Sequence, residues 1–406
     1  MNSEKIPKTL IEAAHIKRGV IERLALAYYK STVEELIREK LEKARKSIIR
    51  IEDLDFSESP VYTAHAAEDG GSSTIDMEAF TIYAVQAWSG SWIPIGNSYK
   101  VLREERIADI GIVYPSGRDE ERVRIYRETL EAWITQKTIE ELSKGYLLWD
   151  GSISTLLAGR RPWTETEWRA RKAQQKAEQK LGMNLEQILD WISTLQAKHP
   201  LAILEELAGL SLDADDTMWV AFIEWLGKLV AVRRLLNLSF KNKIVPVFVT
   251  KTTRSKSLVG GTFPDIYYLR RAEPYKPFIT RPIVRRGAVE AGDGVSKEFF
   301  PQPLGDYFQQ GLTVVSFYLR LREGAQILRI EAVYPVDRLP PVDADTGREE
   351  ALRIVEWFLS LPTAKGYPIV LNIAHRQSHL SRRDLLHAVT ILGFSLDRTG
   401  RSMLGE

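Results

Sequence analysis

The sequence contains no cysteine among its 406 residues. Disulfides, thiolate zinc sites, iron–sulfur clusters and cysteine nucleophiles are therefore excluded together. Any metal must be bound by the oxygen and nitrogen donors of aspartate, glutamate and histidine. Such donors suit magnesium or manganese better than a structural zinc ion.

The sequence also lacks a strong excess of charge and a long apolar run. Its 56 basic and 54 acidic residues leave a net charge of +2, so an anionic partner must be bound by local patches. No apolar run approaches the roughly 20 residues of a membrane span, and no signal peptide is visible. We therefore expect a cytoplasmic protein. No phosphate-binding Gly-x-x-x-x-Gly-Lys-Ser/Thr loop is present, so ATP-driven movement would have to come from a partner.

Residues 145–154 combine a strand pattern with an acid. Four residues suited to a buried strand lead into Asp150, and Gly151 and Ser152 then turn the backbone. A carboxylate at the end of an apolar strand is held rigidly at the rim of a sheet, where α/β proteins commonly bind divalent metals. The alternative is that Asp150 belongs to a common Asp-Gly turn and hydrogen-bonds its own loop.

The pattern of strand, acid, glycine turn and serine occurs a second time. Residues 61–67 suggest a strand, and Asp69 is followed by Gly70, Gly71 and Ser72. Further strands are predicted over residues 81–88 and 106–114, with a turn-rich link between them. Asp69 is therefore a second strand-end acid that could help to bind a metal.

A helix is predicted over residues 119–143, because its apolar residues follow a period of 3.6. Two glutamates, Glu128 and Glu131, lie one turn apart on it. Glu131 borders the apolar face beside Leu130 and one turn before Ile134, so it is favoured as the glutamate that faces inward. Most helix glutamates are simply solvated, and that alternative stays open for both.

Cations that suit a nucleic-acid backbone occur in two places. Residues 160–180, which begin with Arg160 and Arg161, interleave basic side chains with indole rings, a composition that favours phosphate neutralisation and base stacking. A solvated helix with internal ion pairs is the alternative. The strand predicted over residues 243–250 leads into Lys251 and Arg254, which could contact a phosphodiester backbone.

The last informative stretch contains Tyr367, Pro368, His375 and His379. Proline suits the first turn of a helix, which places Tyr367 at the start of that helix and the two histidines on one face. The zinc-protease pattern is absent, because no glutamate accompanies the histidines. One histidine ligand is favoured over two.

The order of these elements predicts an α/β protein with a mixed sheet flanked by helices. We predict an N-terminal helical arm over residues 1–55 and a core in two parts, residues 56–159 and 241–406. A helical insertion over residues 160–240 separates the two parts. Residues 271–310 suggest a long loop, and residues 312–333 a hairpin with Glu331 in its second strand.

Two strand-end acids, a helix glutamate and a late histidine suit Mg²⁺ or Mn²⁺. Two such ions roughly 3.5 to 4 Å apart can clamp the attacking water and the leaving oxygen of a phosphodiester during cleavage. The residues therefore favour nuclease chemistry.

In combination, these motifs resemble the NurA nucleases, the DNA-end-processing exonucleases that work with the hexameric HerA translocase. The resemblance spans about residues 55 to 395. It rests on five motifs in the right order: Asp69-Gly-Gly-Ser, Asp150-Gly-Ser-Ile, the strand into Lys251, the strand with Glu331, and Tyr367-Pro followed by His375. The first motif departs from the family, which usually has a single glycine there.

The resemblance implies an RNase H-like core, a homodimer, manganese-dependent cleavage and 5′ to 3′ polarity on DNA. Carried over by position, it implies four metal ligands and three residues that contact or position DNA. The implied ligands are Asp69, Glu131, Asp150 and His375. The implied DNA contacts are Lys251 and Arg254, with Tyr367 positioning the scissile phosphate.

We therefore predict a two-metal DNA nuclease that acts in double-strand-break end resection, DNA repair and homologous recombination with a HerA-type translocase. A 5′ to 3′ exonuclease is expected, and single-strand endonuclease activity is a further possibility. One alternative is a non-catalytic DNA-binding adaptor of the translocase, although a pure scaffold has no need for two strand-end acids that repel phosphate. The other is an RNase H-like enzyme that acts on RNA or RNA:DNA hybrids.

Overall fold

The computed structural model describes residues 34–56, 62–77, 80–158, 167–289, 300–338 and 344–391. Arg160, Arg161 and most of the predicted N-terminal arm lie outside these residues. Among the residues described, no helix combines the length and the apolar character needed to span a bilayer.

The described residues form one mixed sheet of ten strands and a separate two-stranded ribbon. The strands of the large sheet are β1 (Ile48–Arg50), β2 (His65–Asp76), β3 (Thr81–Ile95), β4 (Ser98–Val113), β5 (Gly145–Asp150), β6 (Ile244–Thr250), β7 (Phe278–Thr280), β8 (Ile283–Arg286), β9 (Leu312–Arg320) and β10 (Leu328–Pro335). The ribbon consists of β11 (Thr363–Ala364) and β12 (Tyr367–Pro368).

The order in the large sheet is β1-β7-β9-β10-β6-β5-β2-β3-β4, and β8 also pairs with β9. Strand β5 runs parallel to both of its neighbours, β2 and β6. The other pairs are antiparallel. The only parallel pairings of the described sheet therefore meet at β5, the strand that ends in Asp150.

Helices cover both faces of the sheet. They are α1 (Glu34–Ser47), α2 (Asp119–Ile139), α3 (Ile153–Ala158), α4 (Glu167–Leu181), α5 (Leu185–Lys198), α6 (Ala202–Ala208), α7 (Thr217–Lys241), α8 (Asp265–Ala272), α9 (Ala344–Ser360), α10 (Ile369–Ser378) and α11 (Arg382–Ile391). A π-helical turn, Asp306–Gln310, precedes β9.

The alternation of side chains in β5 divides the core into two layers. Leu147 and Trp149 pack in the layer that contains α2 and α7, whereas Leu148 packs in the layer that contains α9 and α10. Because helices cover both faces, the central strands are buried almost throughout, as in β6 and β9. The predicted α/β fold with a mixed sheet flanked by helices is confirmed.

Three local predictions outside the candidate site were wrong. Strand β3 continues through the predicted link to Ile95, because its pairing with β4 extends along both strands. Ile48 and Ile49, which the sequence placed in a helix, belong to β1 and pair with β7. The predicted loop of residues 271–310 contains the short strands β7 and β8, which extend the sheet.

Candidate metal centre

Asp69 and Asp150 lie on adjacent parallel strands. Glu68 of β2 pairs with Trp149 of β5, so the next residue on each strand is one of the two aspartates. Successive side chains point to opposite faces, and both aspartates therefore share a face. Strand β5 ends here, because Gly151 turns the chain with a φ of +133°, a conformation that favours glycine.

The predicted glycine turn after Asp69 was wrong, because β2 continues without interruption to Asp76. The two glycines instead let other elements approach the strand. A Cβ atom added at Gly70 would collide with the carboxylate of Glu131, and one added at Gly71 would collide with the backbone carbonyl of Ser378. Helices α2 and α10 thus bring polar groups directly against β2.

Helical periodicity favoured Glu131 over Glu128 as the inward-facing glutamate, but the structure buries both, each 4% exposed. Their partners differ. Glu128 accepts hydrogen bonds from Lys228 Nζ at 3.0 Å and from Arg124 Nε at 2.7 Å. Glu131 Oε1 lies 3.0 Å from Arg127 Nε and close to Gly70. Burial, opposed by Arg127 and reinforced by Asp69 and Glu128, raises the pKa of Glu131 to about 7.

Glu68 is a fourth acid of this cluster, and the sequence reasoning missed it. It is buried, and its Oε2 atom has no hydrogen-bond partner among the described residues. Burial, followed by repulsion from Glu131, Asp69 and Asp150, raises the pKa of Glu68 well above its usual value. The available signal was an acid that directly follows Ala66 and Ala67 and immediately precedes Asp69. We call Glu68, Asp69, Glu131 and Asp150 the acid cluster.

Helix α10 places two side chains on Asp69. The Oδ2 atom of Asp69 lies 2.8 Å from Nδ1 of His375 and accepts a hydrogen bond of 3.1 Å from Oγ of Ser378. The imidazole is about two-thirds exposed, so His375 stands at the solvent side of the cluster. The His379 ring lies 6.3 Å from that of His375, and no described contact joins it to the acid cluster.

Asp150 is contacted by a cation and an aromatic residue. Lys251, directly after β6, donates a hydrogen bond of 3.1 Å from Nζ to Oδ2 of Asp150. The same ammonium lies 3.9 Å from the ring centroid of Tyr367. Burial and the neighbouring Asp150 raise the pKa of the Tyr367 hydroxyl. No described residue forms a hydrogen bond of normal geometry with that hydroxyl.

Two motif residues lie apart from these contacts. Arg254 is exposed on the loop after β6, and no described contact links it to the acid cluster. Glu331 is buried within the sheet, where its Oε1 lies 2.9 Å from Arg285 and 3.2 Å from Arg329. Glu331 therefore belongs to a separate ion-pair network.

The chemistry of these donors fits a divalent cation. Only two cations, Arg127 and Lys251, form described ion pairs with the four carboxylates, and one buried carboxylate oxygen of Glu68 has no hydrogen-bond partner among the described residues. Hard cations such as Mn²⁺ and Mg²⁺ are bound by carboxylate oxygens. In the described side-chain positions, no three Asp, Glu or His residues converge on a single point that could hold a metal ion.

The fold of the described residues, a mixed sheet flanked by helices, is shared with solved structures of NurA nucleases. The crystal structure of the NurA nuclease from Sulfolobus solfataricus has a TM-score of 0.60 and 19% identity, covering 93% of this chain and 97% of that one. A structure of NurA bound to dAMP and manganese has a TM-score of 0.57 and 15% identity, covering 95% and 99%. These similarities establish the fold.

The family model of the NurA domain matches residues 64–379. The chain therefore belongs to the NurA family, and the resemblance inferred from its motifs is confirmed. No curated protein shows significant sequence similarity to this chain.

Proposed function

We propose that this chain is a metal-dependent DNA nuclease that hydrolyses phosphodiester bonds, with Mn²⁺ as the preferred cofactor. The observation that carries the proposal is the acid cluster, in which four carboxylates from β2, β5 and α2 interact around the end of β5. The NurA structures bound to manganese, and to dAMP with manganese, support the same assignment.

In this proposal Asp69, Glu131, Asp150 and His375 bind two metal ions, and Glu68 contributes a further carboxylate. Bound divalent ions would supply the positive charge that stabilises a pentavalent phosphate and activates a water molecule. Arg127 and Lys251 hold Glu131 and Asp150 in place, because each lies within 3.1 Å of its carboxylate.

Two further groups would act on the DNA itself. Lys251 carries a partly exposed ammonium next to Asp150, where it could also contact the scissile phosphate. Tyr367 has a buried hydroxyl beside Asp150, which suits it to position that phosphate. Arg254 is exposed and available for a backbone contact farther along the strand, and Arg160 and Arg161 remain proposed contacts outside the described residues.

Family membership extends the proposal to the biological setting. We propose an RNase H-like core, a homodimer, and a cytoplasmic 5′ to 3′ exonuclease that also cuts single strands. Its partner would be a HerA-type hexameric translocase, and its role the resection of DNA double-strand breaks before homologous recombination. The NurA domain match over residues 64–379 supports this setting.

The deciding experiment compares wild type with Asp150→Asn on linear DNA labelled at its 5′ or 3′ end, in Mn²⁺, Mg²⁺ or EDTA. The matched control is Asp190→Asn, the same substitution at an exposed aspartate of α5. We expect cleavage that requires metal, a loss of at least about 100-fold in Asp150→Asn, and wild-type rates in the control. The label that is released first gives the polarity.

Other substrates separate the alternatives. RNA and RNA:DNA hybrids are tested in the same assay, and preferential cleavage of either would move the assignment to an RNase H-like enzyme. A folded wild type that binds DNA but cuts no substrate, alone or with its translocase, would refute the nuclease and favour an adaptor.

A further inference from the structure

A cleft opens beside the acid cluster, on the side of Lys251 and Tyr367. Its volume is about 670 Å³, within the range of pockets that hold small ligands. Two turns form its walls, the turn between β9 and β10 and the turn between β11 and β12. We call this space the turn cleft.

The charges of the turn cleft favour an anion. Three cationic residues, Lys251, Arg322 and Lys365, line it with a single acid, Glu323. Arg322 and Lys365 are exposed, and no described carboxylate lies within salt-bridge distance of either. Such cations are free to bind a phosphate, because they need not first leave an internal ion pair.

The backbone presents these cations from well-defined turns. Lys365 and Gly366 have φ angles of +52° and +79° and connect the paired residues Ala364 and Tyr367. Two consecutive residues with positive φ define the tight hairpin turn that holds the Lys365 backbone at its tip. A Cβ atom added at Gly366 would lie 2.6 Å from the Cβ of Ala325, so the two turns touch.

The turn cleft adjoins the candidate metal centre through two residues, Lys251 and Tyr367. Lys251 lines the cleft and also contacts Asp150 at 3.1 Å. Tyr367 contributes to the lining as well, with its ring beneath the Lys251 ammonium. If a DNA strand had one phosphate at Asp150 and continued into the turn cleft, its neighbouring phosphates would meet Arg322 and Lys365.

We propose that the turn cleft binds the backbone of the DNA strand next to the bond that is cleaved, with Arg322 and Lys365 each contacting a phosphate. This inference rests on the proposed nuclease function and identifies a second binding site for its substrate. Asn372, which also lines the cleft, offers an amide for contacts with the sugar or base.

The test measures the binding of a fluorescent single-stranded oligonucleotide in EDTA, without cleavage, over a range of salt concentrations. We compare wild type with Arg322→Gln/Lys365→Gln. The matched control, Lys144→Gln/Lys198→Gln, removes the same charge from exposed lysines, and Lys144 precedes β5 at the end opposite Asp150. Melting temperatures verify that all variants fold.

We expect the cleft variant to bind roughly 10-fold more weakly at 0.1 M salt, while the control binds as wild type does. The slope of log K against log salt should fall by about 1.4, since each phosphate contact to a single strand contributes about 0.7. Arg322→Lys/Lys365→Arg should retain binding, and Glu323→Gln should tighten it. In Mn²⁺, the cleft variant should have a raised KM with kcat nearly unchanged.

The outcomes separate this inference from the proposed function. Weaker binding and a smaller slope support the turn cleft even if the protein cuts no DNA. Active cleavage with unchanged binding, slope and KM in the cleft variant overturns the turn cleft and leaves the nuclease intact. An equal loss in the control variant also overturns it, because the effect would then reflect total charge.

Discussion

Glu128 and Glu131 lie one turn apart on the same helix and are equally buried, yet their surroundings differ in kind. Three cations, Lys228, Arg124 and Arg127, outweigh the effect of burial on Glu128 and hold its pKa below the usual value. Around Glu131, the cations Arg127 and Arg124 do not offset burial and the repulsion from Asp69 and Glu128, and its pKa is raised to about 7. The difference is the local balance of charge, because both carboxylates have lost their water to the same extent.

The same contrast distinguishes the acid cluster from a buried ion-pair network elsewhere in the protein. Between α2 and α7, Glu224 accepts hydrogen bonds from Arg122 at 2.8 and 2.7 Å and from Tyr126 at 2.6 Å. That network is buried and internally neutralised, which suits a structural role. The acid cluster has more acids than cations and an unpaired oxygen on Glu68. Such an imbalance suits a centre that binds a further cation.

Neutralising Glu128 and Glu131 in separate variants tests most directly whether the two glutamates have different roles. We expect Glu131→Gln to reduce Mn²⁺-dependent cleavage at least about 100-fold, because Glu131 is one of the proposed metal ligands. Glu128→Gln should stay within about tenfold of wild type per folded molecule, since its carboxylate binds Lys228 instead. The measurement is kcat/KM on labelled DNA. Equal losses of activity in both variants would contradict the different roles assigned to Glu128 and Glu131.

The effects on stability should have the reverse order, with a larger loss in Glu128→Gln than in Glu131→Gln. Glu128→Gln removes the carboxylate that lies 3.0 Å from the buried ammonium of Lys228, and we expect a loss of about 3 to 5 kcal/mol in the free energy of unfolding. Glu131→Gln should leave that free energy unchanged or raise it, because it removes charge from an acid-rich cluster. Denaturant unfolding in EDTA measures both. Adding Lys228→Met to Glu128→Gln should restore part of the loss.

Manganese should stabilise the protein through the acid cluster alone. At 100 times its Kd, the ion should raise the unfolding free energy of wild type by about 2.7 kcal/mol. The same gain is expected for Glu128→Gln, whereas Asp150→Asn should show little of it. Unfolding curves with Mn²⁺ and with EDTA provide the comparison. A full gain in Asp150→Asn would place the ion elsewhere.

The smallest expected effect is a change in stability with pH that arises from His65. Unlike Glu128 and Glu131, this buried titratable group has no charged partner among the described residues. It packs against Trp92 and Tyr99, and burial lowers its pKa from 6.5 to about 4. The unfolded chain therefore binds the proton more readily, so stability is complete above pH 6.5 and falls as the pH drops towards 4. At pH 5.5 the loss is about 1 kcal/mol.

The variant His65→Phe should lack this component of the acid sensitivity. Its unfolding free energy should fall less than that of wild type between pH 7 and 5.5, as measured by denaturant titration at each pH. An identical pH dependence in the two proteins would show that His65 does not contribute to it.

Much of the candidate site could be predicted from local patterns. The strand into Asp150 and its glycine turn depend on neighbouring residues only, and both lie as predicted. The helix that begins beside Pro368 and carries His375 was read correctly for the same reason. Glu68 was missed, because an acid inside a strand gains meaning only from the elements that pack against it.

The glycines of β2 show the limit most clearly. Gly70 and Gly71 have the composition of a turn, but the pairing of β2 with β3 extends past them. Because these glycines lack side chains, helices α2 and α10 can pack directly against β2. Those helices lie about 60 and 300 residues later in the sequence. No local pattern contains that information, since the distance along the chain does not determine which elements meet.

The sequence by itself determined the kinds of donors, the strand that carries Asp150 and the family to which the chain belongs. Only the tertiary structure decided which charges are balanced. It paired Glu128 with Lys228, left Glu131 and Glu68 among other acids, and placed Arg322 and Lys365 in one cleft with Lys251. The physical reason is that charge interactions depend on distance and burial in three dimensions, and residues of the same type acquire different roles from them.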